Sequence, residues 1–128
     1  MLYSIIVPVY NRPDEVKELL ESLSAQTVKP FELVIIEDGS KERCDHLLGH
    51  YRSFFAIHYY YKENSGRSDT RNYGMARANG DYLLFFDSDV ILPPFYFEKL
   101  EEAMAADYCD CFGGPDAADD SFSDMQKA

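Results

Sequence analysis

Short apolar runs typical of buried strands alternate along this chain with segments of helical periodicity, and this alternation limits the possible folds more than any other feature. The strand-like runs cover residues 5–9, 31–36, 56–61, 82–86 and 108–112. The helix-like segments cover residues 13–23, 41–51, 68–79 and 95–105. Strands that alternate with helices predict an α/β sandwich around a mostly parallel sheet.

Composition agrees with one folded domain and excludes several function classes. The 128 residues are 46% hydrophobic, which is enough for a core and excludes wholesale disorder. The net charge of -11 argues against a nucleic-acid binder, because such proteins need a basic face. No apolar run is long enough to span a bilayer, and residues 1–15 lack the features of a signal peptide. We therefore expect a cytoplasmic protein, associated with a membrane only through a segment outside this sequence.

The C-terminal residues and the cysteines are expected to contribute little chemistry. Residues 113–128 contain four acids and few large apolar side chains, so we expect a domain over residues 1–112 followed by an acidic tail or the start of another region. The three cysteines are an odd number without an export signal, which favours free thiols. Cys109 and Cys111 lack a second Cys/His pair at zinc-like spacing, so we expect small apolar strand residues there.

Polar residues follow three of the predicted strands, at residues 10–12, 37–38 and 87–89. Parallel sheets bind ligands beyond the carboxyl ends of their strands. We therefore expect these three clusters to lie close together at one edge of the sheet.

Asp87 and Asp89 are the sharpest of these features, because an apolar strand leads directly into them. Two carboxylates about 4 Å apart repel by about 4 kcal/mol at an effective dielectric constant near 20. A hard divalent cation such as Mn²⁺ or Mg²⁺ would offset that repulsion, since it prefers oxygen ligands. An ordinary acidic turn would give the same pattern, and the motif by itself does not separate the two.

Two further sets of residues are candidates. Asp38 is placed to accept hydrogen bonds from a base or a sugar, but its position alone favours a turn or a cap for the next helix. Arg67 and Arg71 have the planar fork that suits phosphate, although an arginine on a helix is more often solvated. The sequence contains no P-loop, no dinucleotide-binding glycine motif and no nucleophile elbow, which argues against those enzyme classes.

Five segments occur in order, and together they resemble the N-terminal half of a family 2 glycosyltransferase with the GT-A fold. They are SIIVPVYN at 4–11, LLESLSAQT at 19–27, FELVIIEDGS at 31–40, NSGRSDTRNYG at 64–74 and GDYLLFFDSD at 80–89. The resemblance extends from about residue 2 to about residue 112. It implies a three-layer sandwich that binds a nucleotide-diphosphate sugar.

The resemblance also implies a role for each matching residue. Asp38 would contact the base (uracil if the donor is UDP-linked), and Arg71 would approach the nucleotide. Asp87 would lie near the ribose or the sugar, and Asp89 would bind Mn²⁺ or Mg²⁺ with the help of Asp87. The residues implied to bind the nucleotide sugar are Pro8, Val9, Tyr10, Arg12, Asp38, Arg71, Asp87 and Ser88. The sequence departs from the family at Glu37, where an aspartate is common.

The family's chemistry is direct displacement with inversion, in which a carboxylate base deprotonates a hydroxyl of a saccharide or lipid-linked acceptor. In the family that base follows the Asp-x-Asp motif at a distance that this sequence does not reach, so the catalytic candidates here are limited to Asp87 and Asp89. We therefore interpret the 128 residues as a fragment of a longer enzyme.

Three other interpretations stay open from the sequence alone. A haloacid dehalogenase-like phosphatase also uses Asp-x-Asp after a strand, but its motif lies near the start of the domain. A non-catalytic nucleotide-binding module would also keep the fold. A nucleotidyltransferase is less favoured, because the chain lacks a phosphate-binding start rich in glycine and basic residues.

Overall fold

The computed structural model describes residues 2–106, in which four strands and four helices alternate strictly. The elements are β1 Tyr3–Val9, α1 Pro13–Ser24, β2 Phe31–Asp38, α2 Asp45–Tyr51, β3 Ala56–Lys62, α3 Arg67–Met75, β4 Tyr82–Phe85 and α4 Tyr96–Ala106. The strands form one sheet in the order β3-β2-β1-β4, and every pairing between neighbours is parallel. The strand expected at 108–112 and the tail lie outside the described residues.

The sheet is covered on both faces, which explains why its central strands are apolar without interruption. All eight residues of β2 are buried. Ile5 and Val7 face a large core shared with α1, α2 and α4, whereas Ile6 faces a smaller cluster under α3. The result is the expected three-layer α/β sandwich.

Helix α1 follows the sequence prediction closely. Pro13 stands at the start of the helix, and Asp14 and Glu15 lie in its first turn, where the helix dipole favours acids. The apolar positions Val16, Leu19, Leu20 and Leu23 are buried. Their spacing places them on the face that packs against the sheet.

Helix α2 begins at Asp45, four residues later than the pattern predicts. The preceding segment is held by the side chains of Asn11 and Glu37. The Oδ1 atom of Asn11 accepts hydrogen bonds from the backbone N–H groups of Lys41 (2.7 Å) and Glu42 (3.0 Å). Glu37 Oε2 accepts one from the N–H of Cys44 at 2.6 Å. These bonds satisfy the backbone in a loop, so the segment has no need of helical bonds.

Helix α3 also differs at both ends from its prediction. Gly66 occupies the N-cap position, so the helix begins one residue before the predicted segment, and no side chain caps it there. Gly66 has a φ of 98°, a conformation that glycine adopts without strain. The helix ends at Met75, and residues 76–80 lead back to the sheet. Across residues 2–106, no helix is both long and apolar enough to cross a bilayer.

Candidate functional site

An open cleft of about 420 Å³ lies beyond the carboxyl ends of β1, β2 and β4. Residues of all three predicted polar clusters meet there, although Glu37 and Asp38 are the last residues of β2 itself and do not follow it. The residues lining the cleft are Pro8, Val9, Tyr10, Arg12, Glu15, Asp38, Asn64, Arg67, Asp87, Ser88 and Asp89. The site residues inferred from the sequence therefore converge on this cleft, with Arg71 placed just behind its lining.

Asp38 organises the loop between β3 and α3. Its Oδ1 atom accepts hydrogen bonds from Lys62 Nζ at 2.9 Å and from the N–H of Ser65 at 2.8 Å. Its Oδ2 atom accepts one from the N–H of Gly66 at 3.1 Å and a longer one from Asn64 Nδ2 at 3.5 Å. Asn64 Nδ2 also donates to the carbonyl oxygen of Asp38 at 2.9 Å. Asp38 thereby fixes the start of the helix that carries both arginines.

The protonation of Asp38 follows from these contacts. Burial raises the pKa of this carboxyl group, but the hydrogen bond from Lys62 and those from Ser65 and Gly66 outweigh it, and the net pKa is lowered. Asp38 therefore stays ionised. The side chains of Lys62 and Asp38 are only 12% and 9% exposed, so the pair is largely shielded from water.

The first carboxylate of the Asp-x-Asp motif lies between two arginines. Asp87 Oδ1 is 3.7 Å from a terminal guanidinium nitrogen of Arg67 and 3.7 Å from one of Arg71. Both separations are ion-pair distances that are too long for a hydrogen bond. The repulsion expected between the two aspartates is therefore opposed, in the protein by itself, by two positive charges.

The rest of the motif is anchored on one side and open on the other. Ser88 Oγ donates a hydrogen bond to Glu15 Oε1 at 2.8 Å, which ties the motif to the first turn of α1. Arg12 Nε lies 3.8 Å from the same carboxylate oxygen. Asp89 is exposed, and within residues 2–106 no hydrogen bond or ion pair engages its carboxylate. Asp89 is thus free to accept a ligand.

The turn after β1 presents Tyr10 to the cleft with 53% of its surface exposed. Asn11 follows with a φ of 52°, in the left-handed region that asparagine tolerates better than most residues. The backbone N–H of Asn11 donates to Ser40 Oγ at 2.9 Å, which joins this turn to the one after β2.

Glu37, where the sequence departs from the family pattern, does not line the cleft. It is completely buried, and its Oε2 atom accepts hydrogen bonds from the N–H of Cys44 and from the Tyr59 hydroxyl at 3.0 Å. Burial raises the pKa of the Cys44 thiol, and the nearby Glu37 carboxylate raises it further. We therefore assign Glu37 a structural role, and the burial and raised pKa of Cys44 argue against a reactive thiol there.

The donor set has the oxygen chemistry that Mn²⁺ or Mg²⁺ prefers, but it is incomplete by itself. In the described part of the chain, no group of three or more His, Cys, Asp or Glu side chains could hold an ion. Asp87 and Asp89 offer two carboxylates in an open cleft. A cation there would need further oxygen ligands, which a bound diphosphate could supply.

Sequence reasoning missed three contributors to this site. Lys62 is the direct register partner of Asp38 between β3 and β2, and extending the predicted third strand by one residue would have revealed it. Glu15 lies in the first turn of α1, where an acid is expected in any helix, so its contact with Ser88 has no signal in the sequence. Asn64 lies in a loop whose conformation depends on Asp38, which sequence spacing does not reveal.

Comparison with known sequences agrees with the resemblance described for the five segments. The sequence model of the family described as "Glycosyl transferase family 2" matches residues 4–127. An uncharacterized glycosyltransferase of Rickettsia felis is 41% identical over 98 residues, covering 77% of this chain and 16% of the relative. One from Haemophilus influenzae is 42% identical over 103 residues, covering 80% of this chain and 34% of the relative. The chain thus spans only a minor part of the length of these relatives.

Solved structures with the same fold include Staphylococcus aureus TarS. Its fragment 1–349 in complex with UDP superposes with a TM-score of 0.76 at 28% identity, covering 83% of this chain and 32% of that one. The complex with UDP-GlcNAc gives 0.71 at 33% identity, covering 82% and 30%. The mannosyltransferase PcManGT from Pyrobaculum calidifontis, in complex with GDP-Man and Mn²⁺, gives 0.64 at 21% identity, covering 71% and 28%, a likeness of fold alone.

Proposed function

This chain belongs to glycosyl transferase family 2 and has the GT-A fold, and on that basis we propose that its cleft binds a nucleotide-diphosphate sugar, most simply a UDP-linked one, for inverting transfer to an acceptor hydroxyl. The observation that carries the proposal is the convergence of Asp38, the Asp-x-Asp carboxylates and two arginines around one cleft. Structures of TarS with UDP and UDP-GlcNAc support this choice of ligand.

In this proposal the nucleoside binds between the turns after β1 and β2. Pro8, Val9, Tyr10 and Arg12 line that side of the cleft. Asp38 Oδ1 is fully engaged by Lys62 and Ser65, whereas Oδ2 has one good hydrogen bond and one long one. We therefore assign Oδ2 as the acceptor for an N–H of the base. Because Asp38 stays ionised, it would be a strong acceptor.

The diphosphate would lie between the Asp-x-Asp motif and α3. Asp87 and Asp89 would hold Mn²⁺ or Mg²⁺, with Ser88 kept in place by Glu15. When bound, the divalent cation supplies positive charge against the negative charge that develops on the leaving nucleoside diphosphate. Arg71, anchored on α3 and largely buried, adds a fixed charge on the same side. PcManGT, whose complex contains Mn²⁺, is consistent with this arrangement at the level of the fold.

The acceptor half of the reaction needs a base that can remove a proton from a hydroxyl group. We assign no residue of this chain to that role. We propose that a part of the protein following the Asp-x-Asp motif, and not contained in these 128 residues, supplies the base and the site for a saccharide or lipid-linked acceptor. We also propose that the protein is located in the cytoplasm. The chain by itself is then expected to bind a donor nucleotide better than it turns one over.

Isothermal calorimetry with UDP and Mn²⁺ tests the proposal. The wild-type chain should bind UDP more tightly with Mn²⁺ than without it, and Asp89→Ala should lose that enhancement. Glu18→Ala is the matched control, because it removes an exposed carboxylate on α1 outside the cleft lining and should leave binding unchanged. Equal binding by wild type and Asp89→Ala would show that the metal assignment is wrong. Absence of UDP and GDP binding by the wild type would overturn the proposed ligand class.

A further inference from the structure

We propose that Arg67 is a donor-binding residue that works by exchange: it neutralises Asp87 in the free protein and transfers to the diphosphate of the donor when Asp87 engages the divalent cation. This inference rests on the proposed function. It concerns a residue outside the set that the family resemblance assigns, on the first turn of α3.

The first observation is that Asp87 is shared and loosely held. One oxygen, Oδ1, lies 3.7 Å from a nitrogen of each arginine, so neither guanidinium group forms a hydrogen bond with it. The Asp87 side chain is 40% exposed. Two arginines share this one carboxylate, and loose ion pairs at a partly exposed site exchange at little cost.

The second observation is that the two arginines have donors to spare. Arg71 Nε is buried and has no hydrogen-bond partner among the described residues. The Arg67 side chain makes no hydrogen bond and no ion pair besides the one with Asp87 within residues 2–106, and it is 66% exposed. A planar fork with uncommitted N–H groups matches the oxygens of a phosphate.

The third observation separates the two arginines. Arg67 lines the cleft, whereas Arg71 is 22% exposed and lies behind the lining. A diphosphate that enters the cleft therefore reaches Arg67 directly, while Arg71 contributes from a fixed position. Of the pair, Arg67 is free to leave Asp87 and follow the ligand.

The exchange predicts that removing Arg67 changes the affinities for the cation and for the nucleotide in opposite directions. A purely structural role of Arg67 would not have this effect. Arg67 competes with a cation for Asp87, so its removal should strengthen binding of the cation alone. Arg67 donates to the diphosphate, so its removal should weaken binding of the nucleotide alone. Because binding of each ligand releases a group that the other needs, the two should also help each other, and that mutual effect is reciprocal.

The experiment measures binding of Mn²⁺ alone and of UDP alone by calorimetry, for wild type, Arg67→Met and Arg67→Lys. For Arg67→Met we expect Mn²⁺ affinity to rise about threefold and UDP affinity to fall roughly tenfold. Arg67→Lys keeps the charge but not the fork, so its Mn²⁺ affinity should match wild type while its UDP affinity stays reduced. Arg77→Met is the matched control, since it removes an arginine just beyond the other end of α3, where the guanidinium stacks on Tyr73.

The outcomes are separable. Opposite shifts in Arg67→Met, with Arg77→Met unchanged, support the exchange. If Arg67→Met leaves both affinities unchanged, or weakens both, the exchange is overturned while the proposed function stands. If the wild type binds neither UDP nor Mn²⁺, the proposed function fails and the exchange with it. Thermal unfolding of each variant identifies damage to the fold, to which this exposed position should be insensitive.

Discussion

Three acidic residues of β2, Glu32, Glu37 and Asp38, are 4%, 0% and 6% exposed, and each accepts a hydrogen bond from a segment distant in the sequence. A buried carboxylate is tolerated only when such bonds offset its loss of water. The hydrogen bonds to these three side chains therefore fix the loops at both ends of the sheet. Replacing any of the three side chains should lower the stability of the fold and displace the loops that it holds.

Replacing Lys62 tests, beside the cleft, whether hydrogen bonds to a buried carboxylate hold a loop in place. We expect Lys62→Met to lower the free energy of unfolding by about 2 kcal/mol, because Asp38 stays buried and ionised with one hydrogen-bond donor fewer. The same variant should bind UDP more weakly, since the loop that presents Asn64 and Arg67 loses its anchor. Urea denaturation and calorimetry provide the two measurements.

Lys17→Met is the control for Lys62→Met, because Lys17 is exposed on α1 and the structure gives it no ion pair within residues 2–106. It should change stability by less than about 0.5 kcal/mol. A Lys62→Met protein as stable as the Lys17→Met protein would mean that Ser65 and Gly66 satisfy Asp38 without help.

Glu32 predicts how stability depends on pH. Burial raises the pKa of its carboxyl group, but hydrogen bonds from Ser4 and Asn79, helped by the charge of His58, outweigh it, and the pKa is lowered below the ordinary value of 4.5. A lowered folded-state pKa stabilises the protein above the unfolded value, and this stability is lost as the pH falls through the folded pKa. Glu32→Gln should therefore lose less stability than wild type on acidification below pH 4.5.

Urea denaturation at neutral pH and at a series of pH values below 4.5 measures this effect. Glu98→Gln on α4 is a suitable control, because the Glu98 carboxylate does not take part in the Glu32 network. The stability of this variant should follow the wild-type pH curve. Parallel curves for Glu32→Gln and wild type would contradict the assignment.

At the scale of elements, the sequence predicts what depends on local pattern and misses what depends on distant contacts. The strands and α1 follow from apolar runs and periodicity, and the parallel order brings the strand-end clusters to one cleft, as expected. The starts of α2 and α3 were misplaced because Asn11 and Asp38 hold the preceding loops from other parts of the chain. Lys62 lies one residue beyond the predicted third strand, and the position of Asn64 depends on its long-range hydrogen bonds to Asp38, so neither was part of the predicted site.

Helix α3 carries both arginines, and its depth on the sheet is set by Gly74. A Cβ atom added there would lie 2.7 Å from Ile36 Cδ1 and 2.7 Å from Ile6 Cγ2. We expect Gly74→Ala to destabilise the fold by roughly 1–2 kcal/mol, because overpacking outweighs the gain in helix propensity. The displaced helix should also weaken UDP binding, which calorimetry would detect.

The same substitution in α2 is the control, with the opposite sign. Gly49 is exposed, and a Cβ added there meets nothing within 4 Å. Gly49→Ala should therefore stabilise the protein by up to about 1 kcal/mol through helix propensity and the unfolded chain. If both variants shift the unfolding midpoint in the same direction, close packing of α3 is not what fixes its position.

At the scale of the whole molecule, charge is distributed unevenly. The chain has a net charge of -11 with only 12 Lys and Arg residues. Four of those, Arg12, Lys62, Arg67 and Arg71, lie in the cleft or pair with its carboxylates. An anionic donor therefore meets long-range repulsion before it reaches a locally balanced site. This is the reverse of a basic protein that attracts its phosphate ligand from a distance.

Varying the ionic strength separates the long-range repulsion by the net charge from the local attraction by the basic residues of the cleft. Raising salt from about 10 to about 150 mM shortens the screening length from about 30 to about 8 Å. Screening should weaken the long-range repulsion, so we expect the association rate constant of UDP without metal to increase several-fold, while its dissociation rate also rises as contacts with the arginines weaken. Stopped-flow measurements at both salt concentrations give these rates, and uncharged uridine, which feels no net field, should show little change. A UDP association rate that falls with salt would mean that the cluster of four basic residues, rather than the net charge of the chain, controls the approach of the ligand.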